Sequence, residues 1–305
     1  MMRPITVGLD GSAEARSAAD WAAGEAARRN VPLHLLHAWM LPPAEARSAQ
    51  EPEVRKDWGM RLLRDAKADI TDRYPELSVT AEQVSEMPFD ALLARSGSSE
   101  MLVLGSRGHG VVVGFLLGSL GLHVLLRAEG PVVMVRHGSG PGAAEAGPAG
   151  GSGTAGGSGT AGGEVVVGIK DPGAAAEELL GVAFVAAAAR GASVRTVRAW
   201  TPPPLFARRQ RTSQETDHEG DLEARERKAL AEAVHPWREK YPEVPVTEHV
   251  EMGSATDVVL SASSMAELLV LGRPVHPPHT ASRLGHVAHA ALHHAACPVA
   301  VVPHD

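Results

Sequence analysis

Leu104-Gly-Ser-Arg-Gly-His-Gly-Val-Val-Val-Gly-Phe-Leu-Leu-Gly-Ser119 is the stretch on which the fold turns. An apolar, strand-like run from Met101 to Leu104 enters a glycine-rich loop, and the loop opens into a helix-like segment. Gly105, Gly108 and Gly118 are followed by a hydroxyl, Ser119, in the spacing Gly-x2-Gly-x9-Gly-Ser. Glycine lets a ligand approach the backbone and leaves N–H groups free, and the helix N-terminus points at the bound group; together these make a place for phosphate. Gly105 and Gly108 are expected to fold the loop against phosphate oxygens. Gly118-Ser119 is expected to start a helix whose N–H groups and hydroxyl reach the same oxygens. A lone run of glycines would serve equally as a flexible turn; the complete spacing between a strand and a helix is far more specific.

The strand that feeds this loop occurs twice. Met101-Leu-Val-Leu-Gly105 returns as Leu268-Leu-Val-Leu-Gly272, and four further echoes keep the same order. Ile5-Thr-Val-Gly-Leu9 matches Val165-Val-Val-Gly-Ile169, and His37-Ala-Trp39 matches Arg198-Ala-Trp200. Arg73-Tyr-Pro-Glu76 matches Lys240-Tyr-Pro-Glu243, and Pro131-Val-Val-Met-Val135 matches Pro298-Val-Ala-Val-Val302. The chain is a duplication. Between the copies, residues 138–163 hold 12 glycines and no aromatic residue, a composition that buries too little to offset its ordering entropy. A flexible tether spanning roughly 28 Å root-mean-square is expected there, with one domain at 1–137 and the other at 164–305.

Within the first copy, short β-branched runs near 4–9, 32–38, 77–84, 101–104 and 131–135 read as strands. Longer patterns near 13–29, 53–73, 88–98 and 118–128 read as helices. Ser12 suits the N-cap of the first helix, and the Asp72-Arg-Tyr-Pro break suits the end of the second. Uncharged strand runs belong in a sheet covered on both faces, and strand–helix alternation implies right-handed βαβ units. The fold class expected is α/β, with two tandem open parallel five-stranded sheets flanked by helices.

In such a sheet a ligand binds beyond the carboxyl ends of the strands, at the switch point of strand order. Three segments of the first copy converge there: Asp10-Gly11-Ser12, His37-Ala38-Trp39 and the glycine loop. Asp10 can accept hydrogen bonds from ribose hydroxyls or an adenine amino group, although Asp-Gly-Ser is also a common turn before a helix. The backbone at Ala38 can read a base edge, whereas Trp39 also suits a simple core anchor. Arg107, inside the loop, can add charge to the site or point to solvent.

Asp10, Gly105, Gly108, Gly118 and Ser119 together resemble the ATP-binding class of the universal stress protein family. The resemblance covers nearly the whole chain apart from the tether and implies a tandem member with a Rossmann-like fold, similar to the adenine nucleotide alpha hydrolases. It implies that ATP is the ligand, with adenine against the Ala38 backbone. Ser106, Arg107, Leu120 and Gly121 would then lie near ribose and phosphates, and Leu9 and Leu104 complete the set. Mg2+ or Mn2+ bridging the phosphates is normal for such a ligand, and no carboxylate pair marks a dedicated metal site. The implied role is a nucleotide-dependent regulator or sensor in stress response. The family's habit of pairing last strands across a dimer implies an intramolecular pseudo-dimer of the two halves, and homo-oligomers are compatible with it.

The second copy departs from this pattern. Lys170 stands in place of Asp10, Val275 in place of the middle glycine, and His286 in place of the hydroxyl residue, with Pro274 removing an N–H donor. Weak or no ATP binding is expected there. His286, His289 and His293 share a helical face, which suits a transition-metal site or, more simply, a polar surface. Cys297 is expected to be a buried packing residue. The charged run from Asp217 to Tyr241 reads as a solvated helix face.

Composition narrows the classes. A net charge of −7 argues against general nucleic-acid or anionic-membrane binding. A single cysteine, Cys297, rules out an internal disulfide and any Cys-x-x-Cys site, and it suits a reducing cytoplasm. The opening Met-Met-Arg-Pro-Ile-Thr-Val-Gly enters a strand with no signal-peptide core, and the longest apolar stretches are too short or interrupted to span a bilayer, so a cytoplasmic chain is expected. The Walker pattern, the Gly-x-Gly-x2-Gly fingerprint after the first strands, and the Ser-Gly-Gly-x-Asp-Ser and His-x-Gly-His elements of adenylating enzymes are all absent. No general base or nucleophile stands out near the loop, so slow ATP hydrolysis is the most chemistry expected. The competing class is a scaffold of the same fold with a vestigial cleft.

Overall fold

The computed structural model describes residues 2–40, 51–106, 119–137, 163–201, 213–276 and 284–305, with side chains from 53, 120 and 220 onward in the helices that open three of these stretches. The tether (138–162), most of the glycine loop (107–118) and the Pro-containing segments 41–50 and 202–212 lie outside the described residues. The chain divides into two compact units, Met1–Gly151 and Ser152–Asp305.

The first unit runs β1 (Ile5–Gly8), α1 (Ala13–Arg29), β2 (Leu33–Ala38), α2 (Glu51–Arg73), β3 (Val79–Val84), α3 (Pro88–Ser96), β4 (Met101–Ser106), α4 (Ser119–Arg127) and β5 (Val132–Arg136). Its strands pair in parallel in the order β3-β2-β1-β4-β5. The chain therefore winds outward from β1 in one direction, returns, and winds outward from β4 in the other. Right-handed crossovers then place α1 and α2 on one face and α3 and α4 on the opposite face. The gap at the carboxyl ends of β1 and β4 is the switch point.

Local chemistry sets these boundaries. Ser12 caps α1, its hydroxyl oxygen accepting from the Ala15 N–H at 3.1 Å. Asn30 ends α1 in the left-handed region at φ 52°, its N–H returned to the Ala26 and Ala27 carbonyls. Between these caps Ala15, Ala18, Ala19, Ala22, Ala23 and Ala26 are buried, so the helix lies close on the sheet. Glu25 is also buried, and it meets Arg29 at 2.6 Å; Arg29 in turn reaches Glu100 at 3.1 Å. The central strands are covered on both faces: Ile5, Thr6, Val7, Leu33, Leu35, Leu102 and Val103 are fully buried.

The second unit repeats the plan with β6 (Glu164–Gly168), α5 (Ala174–Arg190), β7 (Ser193–Trp200), α6 (Ser213–Lys240), β8 (Val246–Met252), α7 (Ala255–Ala262), β9 (Leu268–Pro274), α8 (His286–His294) and β10 (Val299–His304). Its parallel order is β8-β7-β6-β9-β10. Gly191 takes the left-handed C-cap that Asn30 supplies in the first unit. Cys297 is buried against the Ser263 carbonyl, as a packing residue should be. Among the described residues no helix is long and apolar enough to cross a membrane.

Candidate functional site

At the switch point of the first unit lies a cavity of about 390 Å³. Leu9, Asp10, Ala38, Leu104, Gly105 and Leu120, six of the residues picked out in the sequence, line it together. Arg107, Gly108 and Gly118 lie outside the described residues; Ser119 opens α4, and its side chain is likewise outside them.

Asp10 follows β1 in a tight turn. Its Oδ1 accepts from the Ser12 N–H at 2.9 Å and from the Ser12 hydroxyl at 2.6 Å. One carboxylate oxygen is thus held by the turn that also caps α1, while Oδ2 bonds to nothing among the described residues. Gly11 completes the turn at φ +85°, a conformation that disfavours a side chain, and a Cβ there would come within 2.8 Å of the Trp58 indole.

Ala38 owes its position to strands of unequal length. The last β1–β2 pair is Gly8 with Leu36, followed by a hydrogen bond from the Leu9 N–H to the Leu36 carbonyl at 2.8 Å. β2 continues to Ala38 alongside β3, and the Trp39 N–H donates to Val84. Because alternate residues of a strand bond in opposite directions, the Ala38 peptide groups face the side where β1 has already ended. They border the cavity.

Gly105 has a packing reason for being glycine besides the one expected from the sequence. A Cβ there would lie 2.5 Å from the Glu14 carbonyl carbon, 2.6 Å from its oxygen and 2.7 Å from the Ala15 nitrogen. The residue is small because the first turn of α1 packs directly against β4. The ladder accordingly runs through it, and β4 extends to Ser106 opposite Arg136, two residues beyond the expected strand.

The cavity also includes residues that the sequence did not single out. Leu36, Pro88 and Leu92 extend the apolar floor begun by Leu9 and Leu104, and Glu14 adds a second carboxylate. Pro88 sits in the first turn of α3, where its fixed φ suits the helix start. Glu14 reads in the sequence as an ordinary first-turn acid.

The equivalent region of the second unit lies in its sheet. β9 and β10 stay paired through Arg273 with Pro303 and Pro274 with His304, and the Val275 N–H then donates to the His304 carbonyl at 2.8 Å. The segment where a glycine loop would begin is part of the sheet. A Cβ at Gly272 would meet the His304 ring at 2.8 Å, a side chain rather than a helix backbone. Arg198, the counterpart of His37, donates to the Lys170 carbonyl and to Glu226. On α8 the His289 and His293 rings lie 4.7 Å apart, and among the described residues no group of three or more His, Cys, Asp or Glu is placed to hold a metal ion.

A model of the universal stress protein family matches residues 1–136 and 163–303. A universal stress protein of Mycobacterium tuberculosis is 31% identical over 306 residues, covering 97% of this chain and 96% of that protein. One from Mycolicibacterium smegmatis is 30% identical over 309 residues, covering 98% and 96%. The crystal structure of a universal stress protein from Archaeoglobus fulgidus has the same fold, with a TM-score of 0.67 at 14% identity and 98% of each chain covered.

Proposed function

This chain belongs to the universal stress protein family, and from that premise we propose that its first unit binds ATP while its second unit does not, making the protein a nucleotide-dependent regulator of a stress response in the cytoplasm. The observation that carries the reading is the cavity at the switch point, where Leu9, Asp10, Ala38, Leu104, Gly105 and Leu120 meet. Its volume lies within the range of small-molecule sites. The Leu36, Leu92 and Leu104 side chains suit the faces of a purine, the Ala38 backbone suits its polar edge, and Asp10 Oδ2 suits a ribose hydroxyl. Phosphates would extend toward the segment that begins after Ser106 and the start of α4, where N–H groups and the helix dipole favour negative charge. Mg2+ or Mn2+ would arrive on those phosphates and offset their charge.

The second unit favours a packing role, because Val275 and His304 commit to the ladder the backbone groups that an open loop would turn to a ligand. The halves are further proposed to pair through their apolar last strands, which cysteine pairs introduced along β5 and β10 would trap as an intramolecular disulfide. Calorimetric titration of ATP tests the main reading. Binding of about one ATP per chain, lost in Asp10→Ala, is expected from a single helix-terminus phosphate site. Two per chain would refute the silent second unit, and none would refute the ATP site and leave a scaffold.

A further inference from the structure

The turn that presents Asp10 is gripped from behind. Leu9, at its start, offers its carbonyl to His37 Nδ1 at 2.7 Å. A carbonyl oxygen can only accept, so the proton sits on Nδ1 and the imidazole is a fixed donor. The His37 ring then meets Trp58 of α2 edge-on, with centroids 5.4 Å apart. Trp58 in turn lies against Gly11, where its Cζ2 and Cη2 would touch any added Cβ at 2.8 and 2.9 Å. Gly59 lets this happen: a Cβ there would stand 2.6 Å from His37 Cδ2 and 2.5 Å from Gln83 Nε2, so only glycine allows α2 to come so near.

Trp58 is 45% exposed. It borders a cleft of about 850 Å³ between α1 and α2, and Leu9, Ser12 and Ala15 line both that cleft and the nucleotide cavity. The Asp10 turn is therefore the wall between the two, with His37 and Trp58 on the side away from the nucleotide cavity. In the second unit Arg198 takes the place of His37 and donates to the Lys170 carbonyl and to Glu226, so a different side chain holds the turn after β6.

We propose that His37 and Trp58 are positioning residues that hold the Asp10-Gly11-Ser12 turn in the shape the nucleotide meets, without touching the nucleotide themselves. The proposal rests on the ATP reading for its ligand and on the hydrogen bond and ring contacts for its mechanism.

The test uses the full chain and two readouts. The first, without nucleotide, is amide hydrogen exchange over residues 9–12 in His37→Leu, His37→Asn, Trp58→Ala and Trp58→Phe. Asparagine can still donate to the Leu9 carbonyl and phenylalanine still offers a ring to Gly11, so His37→Asn and Trp58→Phe should exchange like the wild type while His37→Leu and Trp58→Ala exchange faster. The second is ATP titration. His37→Leu should weaken binding about tenfold, the scale of one lost hydrogen bond with its acceptor left buried. Wild-type exchange in both His37→Leu and Trp58→Ala would overturn the proposal, as would wild-type ATP affinity in His37→Leu. Should His37→Leu fail to fold, the Trp58 pair carries the same comparison at a half-exposed site. If the wild type binds no ATP, the nucleotide reading falls, and exchange alone then decides whether these residues hold the turn.

Discussion

Replacing Gly105 by alanine adds one methyl group, and the structure says where it goes. The new Cβ would lie 2.5 to 2.7 Å from the Glu14 carbonyl group and the Ala15 nitrogen, which are backbone atoms of the first turn of α1. Carbon contacts relax near 3.5 Å, so α1 and β4 must part by about 1 Å. Ser12 caps that turn and holds Asp10, so the strain reaches the site as well as the core. Overpacking of this kind costs about 2 kcal/mol, and for a domain of this size that lowers the melting temperature by about 4–8 °C. Gly272→Ala is the internal control. Its Cβ meets the His304 ring and, at 3.3 Å, Leu179 Cδ1, both side-chain atoms that can turn away. Its loss should be less than half as large. Melting followed by circular dichroism on both variants, with ATP titration on the first, makes the comparison. A Gly105→Ala protein that melts within about 1 °C of wild type and binds ATP equally would refute the packing argument, given that a methyl in a filled core is normally felt. So would a Gly272→Ala protein that loses as much.

Three further outcomes follow from the same geometry. Ser12→Ala removes both the α1 cap and a partner of Asp10 Oδ1, so stability should fall by about 1 kcal/mol in urea titrations and ATP binding should weaken with it. Glu25→Gln removes the charge that meets Arg29 at 2.6 Å in the interior, which should cost about 3 kcal/mol by chemical denaturation; a loss below about 1 kcal/mol would mean that Glu100 alone satisfies Arg29. The third concerns pH. Burial holds His34 below its ordinary value of 6.5, Glu82 opposing and Arg95 adding to the effect. The folded chain thus takes up fewer protons than the unfolded chain as pH drops through 6.5, and stability must fall in that direction. Glu82 is held below its ordinary 4.5, chiefly by its hydrogen bond to Arg95, so its own contribution is lost only at lower pH. The melting temperature should decline from pH 7.5 to 5.5, and the decline should flatten in His34→Gln; equal slopes would exclude His34 as the cause.

Much of the fold was legible because its signals are local. Strands expected near 32–38 and 77–84 form at Leu33–Ala38 and Val79–Val84, and the helix expected at 13–29 forms there. Ser12 and the Tyr74-Pro75 break act on their immediate neighbours, so the chain states them openly. That Asp10, Ala38 and Gly105 meet at one cavity was legible by rule of place, since each stands at a strand's carboxyl end. Leu36 and Leu92 were not, because an apolar residue in a strand or helix declares burial but not which cavity it borders. The packing constraint on Gly105 was not legible, because the backbone of α1 enters its surroundings only once the sheet is wound. The contact of Trp58 with Gly11 joins residues far apart in sequence and leaves no local mark at all.

The pairing of β9 with β10 as far as Pro274 and His304 bears on how such a duplicated chain can change over time. Once the Val275 N–H is satisfied by His304, the segment gains from staying in the ladder, and returning a glycine at 275 would weaken the strand without reopening a loop. Pro274, already paired in register with His304, has no N–H to give back. Several substitutions would have to arrive together, each unfavourable alone, before phosphate could be held there. If the first unit alone binds the nucleotide, as proposed, that asymmetry is in this sense a ratchet.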